Sequence, residues 1–208
     1  MFDFSPITIA SRLICVLFLL PIHECAHAFA AALLGDKTAQ YQGRLSLNPI
    51  KHLDIMGALC LLLGGFGWAK PVAINPYNFK NRKGGMALSA LAGPLSNFLV
   101  SFLMLVVVRI VLLFPVYEGT FLASVIDVLD LIAWISICLG VFNLIPLPPL
   151  DGSRIFLIFL PERYYFKIMQ YEQYISIGLM VLVVSGALDT PLGLVANFVY
   201  STMLKILF

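Results

Sequence analysis

The sequence predicts an all-α polytopic membrane protein with about five to six transmembrane helices and a short membrane-associated β-hairpin or re-entrant segment after the first helix. Two observations predict this class. Of 208 residues, 61% are hydrophobic and 12% charged, where a soluble domain has about 45–50% and ~25%. Apolar runs of membrane-spanning length then recur along the chain, and the mean hydropathy is +0.96. The net charge of +2 leaves no nucleic-acid footprint, so the partners expected are the lipid bilayer and molecules within it.

The chain reads as a single integral membrane domain, 1–208. The first span is expected at 7–34, followed by a strand-like and membrane-dipping segment at 36–84. Further spans follow at 86–114, at 121–160 (broken), at 174–188 and at 191–208, each near or above the ~17 apolar residues a crossing helix needs. Within the second piece, Tyr41–Leu47 alternates like a strand. Ile55–Trp68 is too short to cross and carries Gly57, Gly64, Gly65 and Gly67, which suits a re-entrant hairpin enclosed by protein. The first segment has a competing signal-peptide reading, with Leu13–Ile22 as its apolar region and Ala28-Phe29-Ala30 as its cleavage site. The acid-bearing start and the interruption by His23 and Glu24 oppose that reading.

Basic residues orient the spans. Lys37, Arg44, Lys51, Lys70, Lys80, Arg82 and Lys83 lie between the first two spans, and Arg154, Arg163 and Lys167 near the end of the third. The opposite ends carry Asp3, Glu118, Asp127 and Asp189. By the positive-inside rule, residues 35–85 and 161–172 are cytoplasmic and the N-terminus is outside. Cys15, Cys25, Cys60 and Cys138 lie in apolar stretches without metal-binding spacing and read as packing.

His23-Glu24-Cys25-Ala26-His27 is an H-E-x-x-H pattern inside an apolar helix. His23 and His27 lie one turn apart on one face, where both imidazoles can reach one Zn²⁺. Glu24 is displaced sideways, in position to accept a proton from an attacking water. Ionisable groups at membrane depth are costly and usually functional. A polar cluster bridging helices and an ion relay are the competing readings.

The third ligand is expected at Asp151. His27 lies eight residues before Gly35, about 12 Å at 1.5 Å per residue. Asp151 lies nine residues before Leu160, at a similar depth. Pro146, Pro148 and Pro149 break the helix before it, making 143–152 a candidate unwound active-site strand; a kink with Asp151 paired to Arg154 is the alternative. Two histidines and one carboxylate leave the fourth zinc position to water.

These motifs resemble the site-2 protease family, zinc metalloproteases that cut within the membrane. The resemblance rests on His23-Glu24-x-x-His27 in the first span and Asn143…Pro146-x-Pro148-x-Leu150-Asp151-Gly152 late in the chain. Gly43-Arg44…Asn48-Pro49…His52-x-Asp54 and Ala92-Gly93-Pro94-x-x-Asn97 also resemble the compact bacterial branch. The resemblance covers essentially the whole chain in the family's order. It implies one zinc ion per chain, with His23, His27 and Asp151 as ligands and Glu24 as general base. It further implies Asn143 beside the scissile peptide, and single-span membrane proteins or signal peptides as substrates. The expected location is the cell membrane, with the zinc site nearer the cytoplasm. No PDZ module and no regulatory nucleotide-binding domain is expected.

Asn97 is a candidate for orienting a ligand, and Gly93 for close helix packing. His52 is a candidate substrate contact or ligand-supporting residue, with a hydrogen bond to Asp54 as the simpler expectation. Arg109 and Asp127 are expected to pair at the outer interface. Tyr41–Leu47 and the dipping hairpin are expected to hold an unwound substrate by β-addition. The alternatives to a peptidase are a polytopic ion transporter, against which the lack of an internal repeat counts, and a catalytically silent scaffold, against which the intact motifs count.

Overall fold

The structure is a computed structural model that describes residues 6–64 and 67–208; Asp3 and Gly65 of the sequence argument lie outside these. The first span is a nearly continuous rod. Helix α1 (Pro6–Ile14) passes through a π-helical turn (Cys15–Leu19) into α2 (Leu20–Leu33). Pro21 explains the wider turn: it has no N–H to give back along the helix and its ring crowds the preceding turn. The bulge lies just before the H-E-x-x-H and so helps set which face His23 and His27 present.

Short helices α3 (Thr38–Tyr41), α4 (Pro49–His52) and α5 (Ile55–Gly64) follow, then the long α6 (Arg82–Val111) and α7 (Phe121–Asn143). The chain ends with α8 (Asp151–Phe156), α9 (Glu162–Gln170), α10 (Glu172–Val184) and α11 (Asp189–Leu207). Local chemistry sets the starts of the two long helices. Asn81 Oδ1 accepts from Gly84 N at 3.0 Å and Thr120 Oγ1 from Ala123 N at 3.4 Å, each meeting a donor that the helix leaves free.

Helix α6 is the hub and packs against α2, α7, α8 and α11. Small buried residues on it (Ala87, Ser89, Ala90, Gly93) let α2 approach, and the Ser136 hydroxyl of α7 donates to the Asn97 carbonyl at 2.8 Å. Outward faces carry exposed Phe29, Leu95, Leu99, Leu103 and Phe198, the surface expected against lipid.

Among the described residues, four helical stretches are long and apolar enough to cross a membrane: Thr8–Leu33, Arg82–Val111, Phe121–Asn143 and Asp189–Leu207. The expected count of five to six is therefore corrected. The candidate at 174–188 is the 13-residue α10, about 20 Å long against a hydrocarbon core of ~30 Å. The expected β-hairpin is also corrected, since no strand occurs among the described residues. Tyr41 ends α3, and 42–47 is turns and bends, because Gly43 adopts φ 68° and turns the chain. With no strand at Tyr41–Leu47, β-addition at that segment loses its basis.

What does follow α5 is a non-helical run, 67–75, laid along α2. Lys70 N donates to the His52 carbonyl at 2.8 Å, Val72 N to Glu24 Oε2 at 3.0 Å and Asn75 N to Asp36 Oδ2 at 2.7 Å. Asp36 is wholly buried and also accepts from Thr38 N and Asn78 Nδ2. Burial pushes its carboxyl up, but these hydrogen bonds outweigh that and hold it below the ordinary carboxylate value. Two expected pairs are absent among the described residues. His52 bonds the Ser46 carbonyl at 2.7 Å, and Asp54 instead caps α5 through Gly57 N. Arg109 lies over the Phe208 ring, 5.2 Å from its centre, and makes no ion pair with Asp127.

Candidate metal centre

Helix α2 presents His23 and His27, and α8 begins at Asp151 opposite them. His23 Nε2 and His27 Nε2 stand 3.0 Å apart, with Asp151 Oδ2 3.1 Å from the first and 3.2 Å from the second. The three atoms form a nearly equilateral triangle. Ligands about 2.0–2.1 Å from a tetrahedral zinc stand roughly 3.3 Å from one another, so the spacing fits the base of such a site. The histidines are 3% and 6% exposed. Asp151 Oδ2 is buried with no hydrogen-bond donor aligned to it, an arrangement that a cation would satisfy. Glu24 offers a carboxylate oxygen within 4.8 Å of the imidazole nitrogens. It therefore belongs to the group but sits outside the tight triangle.

Each imidazole is held from behind. His27 Nδ1 donates to the Ser89 carbonyl at 2.7 Å, which leaves Nε2 as a lone pair. His23 Nδ1 lies 3.1 Å from the Asn97 side-chain amide, whose oxygen is buried and unpartnered as placed. Turning that amide brings the oxygen to Nδ1, to accept its N–H and free Nε2 in the same way. Gly93 lies against the rings themselves: a Cβ there would stand 2.4 Å from His27 Nε2 and 2.6 Å from His23 Cε1. The close packing expected of this glycine is thus against the imidazoles.

The proline-rich break delivers Asp151. Helix α7 ends at Asn143, and 144–150 folds back so that α8 starts beneath its end. Gly152 allows this, because a Cβ there would meet the carbonyl oxygens of Leu144 and Ile145 at 2.3 and 2.4 Å. Asp151 turns to the histidines, and the alternative pairing with Arg154 is not formed. Asn143 donates to the Leu139 carbonyl at 2.9 Å.

A cavity of about 430 Å³ opens on the triangle, with Glu24, Asn143 and Arg154 in its wall beside Trp68, Val72 and Leu179. His52 is not in that wall. It is 1% exposed and ends α4, which packs against α2 and the π-helical turn. Of the supports, the Ser89 carbonyl and the Val72 N–H were missed in the sequence because backbone groups carry no residue signature. Asp36 was missed too, although Gly35-Asp36-x-Thr38 is a helix-end pattern that could have flagged it.

A model of "Peptidase family M50" matches residues 113–185, which include Asn143 and Asp151. A Bacillus subtilis (strain 168) protein named "Putative zinc metalloprotease YwhC" is 40% identical over 197 residues, covering 92% of this chain and 86% of the relative. The chain belongs to peptidase family M50. As an M50 peptidase of the site-2 type it is a metalloprotease, and its apolar helices make it a multi-pass membrane protein. A second relative, "Putative zinc metalloprotease Rip2" of Mycobacterium tuberculosis, is 32% identical over 136 residues, 63% of this chain and 50% of the relative. A Mycolicibacterium smegmatis protein of the same name is 28% identical over 137 residues. No solved structure matches this M50 chain.

Proposed function

We propose that this chain is an intramembrane zinc endopeptidase, hydrolysing peptide bonds within or near the transmembrane segments of single-span membrane proteins or residual signal peptides. The observation that carries the proposal is the triangle of His23, His27 and Asp151. Its two histidines lie on an apolar helix of spanning length, with His23 ten residues, about 15 Å, from the helix end at Leu33. Its donor set is that of a hydrolytic site with one position left open. In this reading His23, His27 and Asp151 hold one zinc ion per chain. When bound, the ion supplies Lewis acidity that makes water more acidic and polarises a carbonyl.

The remaining work falls to this chain's own residues. Glu24 takes the proton of the attacking water and returns it to the leaving amine. The Val72 N–H holds one Glu24 oxygen, which keeps the carboxylate aimed. Asn97 and the Ser89 carbonyl fix the imidazoles so that both Nε2 lone pairs converge. Asn143, in the cavity wall, contacts the substrate backbone next to the bond that is cut. The apolar wall keeps bulk water away from an unwound substrate. The charge pattern supports an N-terminus outside the cell membrane and a metal site nearer the cytoplasm.

The test is to purify the protein in detergent and measure bound zinc together with cleavage of a panel of single-span substrates. Wild type is expected to hold one zinc and cut. Glu24→Gln is expected to hold zinc without cutting, and Asp151→Ala to lose the metal. Wild type free of metal and indifferent to Glu24→Gln would defeat the proposal.

A further inference from the structure

Asp151 opens α8 and Arg154 follows three residues later, so both side chains emerge on one face of the helix. Both line the cavity. Arg154 is half-buried, and among the described residues no ion pair, hydrogen bond or ring contact falls on its guanidinium. The nearest carboxylate in sequence, Asp151, is committed to the imidazoles. The polar neighbours in the wall do not compensate it either. The Ser176 hydroxyl donates to the Glu172 carbonyl at 2.7 Å, and the Asn143 amide donates to Leu139. Phe142, Leu179 and Met180 are among the apolar residues that line the same cavity.

The charges of the cavity do not balance on their own. A divalent ion matches Glu24 and Asp151 and leaves the guanidinium over. Arginine stays charged at any working pH, and a charge facing an apolar wall is costly unless paired. Its planar fork matches a carboxylate with two parallel hydrogen bonds. We infer that Arg154 forms a carboxylate-binding subsite beside the metal centre, so that the enzyme selects peptides presenting an acidic group near the bond to be cut. This rests on the peptidase reading of the same cavity. The carboxylate comes either from an Asp or Glu side chain of a continuing peptide or from a free C-terminus, and the two differ in what lies beyond the cleavage point.

Binding is measured on zinc-loaded Glu24→Gln protein in detergent, which separates recognition from turnover. The chain has two tryptophans; with Trp134→Phe added, Trp68 in the cavity wall reports occupancy by its fluorescence. The probes are single-span peptides with one Asp stepped along the apolar segment, each with an Asn twin. Short apolar peptides with a free or an amidated C-terminus complete the set. At one position, or at the free C-terminus, the acid is expected to bind at least about tenfold tighter than its neutral twin, as a charged hydrogen bond implies. Which arm responds identifies the source of the carboxylate. Arg154→Gln is expected to abolish the preference and Arg154→Lys to keep part of it, with zinc content unchanged in both. No saturable binding of an acidic probe, equal binding of acid and twin, or a preference that survives Arg154→Gln overturns the subsite. Because the readout needs no cleavage, a failure of proteolysis in wild type stays distinguishable from a failure here.

Discussion

On the α2–α6 side of the cavity, His23, His27, Ser89, Gly93 and Asn97 are all buried, and hydrogen bonds or direct ring contact tie each of them to another of the group. Across the cavity, α10 has Leu179 as its one buried residue, and most of its length is exposed. The first wall is built as a protein interior is built, with small residues allowing close approach and each of the polar side chains or carbonyls joined to another of the group. The second is a single short helix leaning on the site through Ser176, Leu179 and Met180. A metal centre needs ligands held to a fraction of an ångström, while a peptide that must enter needs a wall that yields at low cost. On the proposed peptidase reading, the contrast between the walls divides the labour, with α2–α6 holding the ion and α10 yielding to an entering peptide.

The sharpest way to break that division is to strike the triangle. Asp151→Ala should remove bound zinc and abolish cleavage, whereas Glu24→Gln should cut turnover by about 10²–10⁴-fold, the range for a lost acid–base group, with zinc retained; metal analysis beside the cleavage assay separates the two. Gly93→Ala comes next, since the added methyl meets the imidazoles at 2.4–2.6 Å. Zinc affinity should fall by more than the roughly 10–100-fold typical of a lost supporting contact, as metal competition by a chelator would record. Asn97→Leu should fall within that 10–100-fold range. If Gly93→Ala binds zinc like wild type, the rigid wall is not what shapes the site.

The yielding wall calls for a smaller effect of another kind. Leu179→Ala should leave zinc content unchanged and lower stability by about 2 kcal/mol, the low end for a buried leucine, read as a shift in thermal unfolding in detergent. Zinc loss in that variant would make α10 part of the metal scaffold. The smallest effect concerns Asp36, just beyond the end of α2. Its folded carboxyl titrates below the unfolded value of ~3.9. Its contribution is therefore fully present above that pH and is lost as the pH falls through the folded value. Removing it with Asp36→Ala should flatten the acid limb of a plot of unfolding temperature against pH.

How much was legible differs from residue to residue for physical reasons. His23, Glu24 and His27 could be read directly, because helix periodicity alone sets them on neighbouring positions of one turn. The match between His27 and Asp151 came from counting residues inward from two boundaries, which works because a helix advances by a constant rise. The count of crossings could not be read so well. The run at 174–188 is apolar enough but ends as a 13-residue helix, and where a helix stops depends on its neighbours as well as its composition. The strand at Tyr41–Leu47 failed because alternation in sequence does not fix the backbone: the chain turns at Gly43 and leaves Tyr41, Leu45 and Leu47 exposed. His52 paired with a backbone carbonyl in preference to Asp54, a choice that proximity in sequence does not decide.

The composition and the spacing of a few side chains by themselves determined an apolar, helical chain of membrane-spanning stretches with an H-E-x-x-H turn and a carboxylate expected to face it, since both follow from periodic local geometry. Only the tertiary structure decided the rest. It set the Ser89 carbonyl behind His27, Gly93 against both rings, the Val72 N–H on Glu24 and an unpaired Arg154 in the cavity wall. Those are contacts between residues distant in the chain, made through backbone atoms or through the absence of a side chain, and they exist only once α2, α6 and α8 have packed.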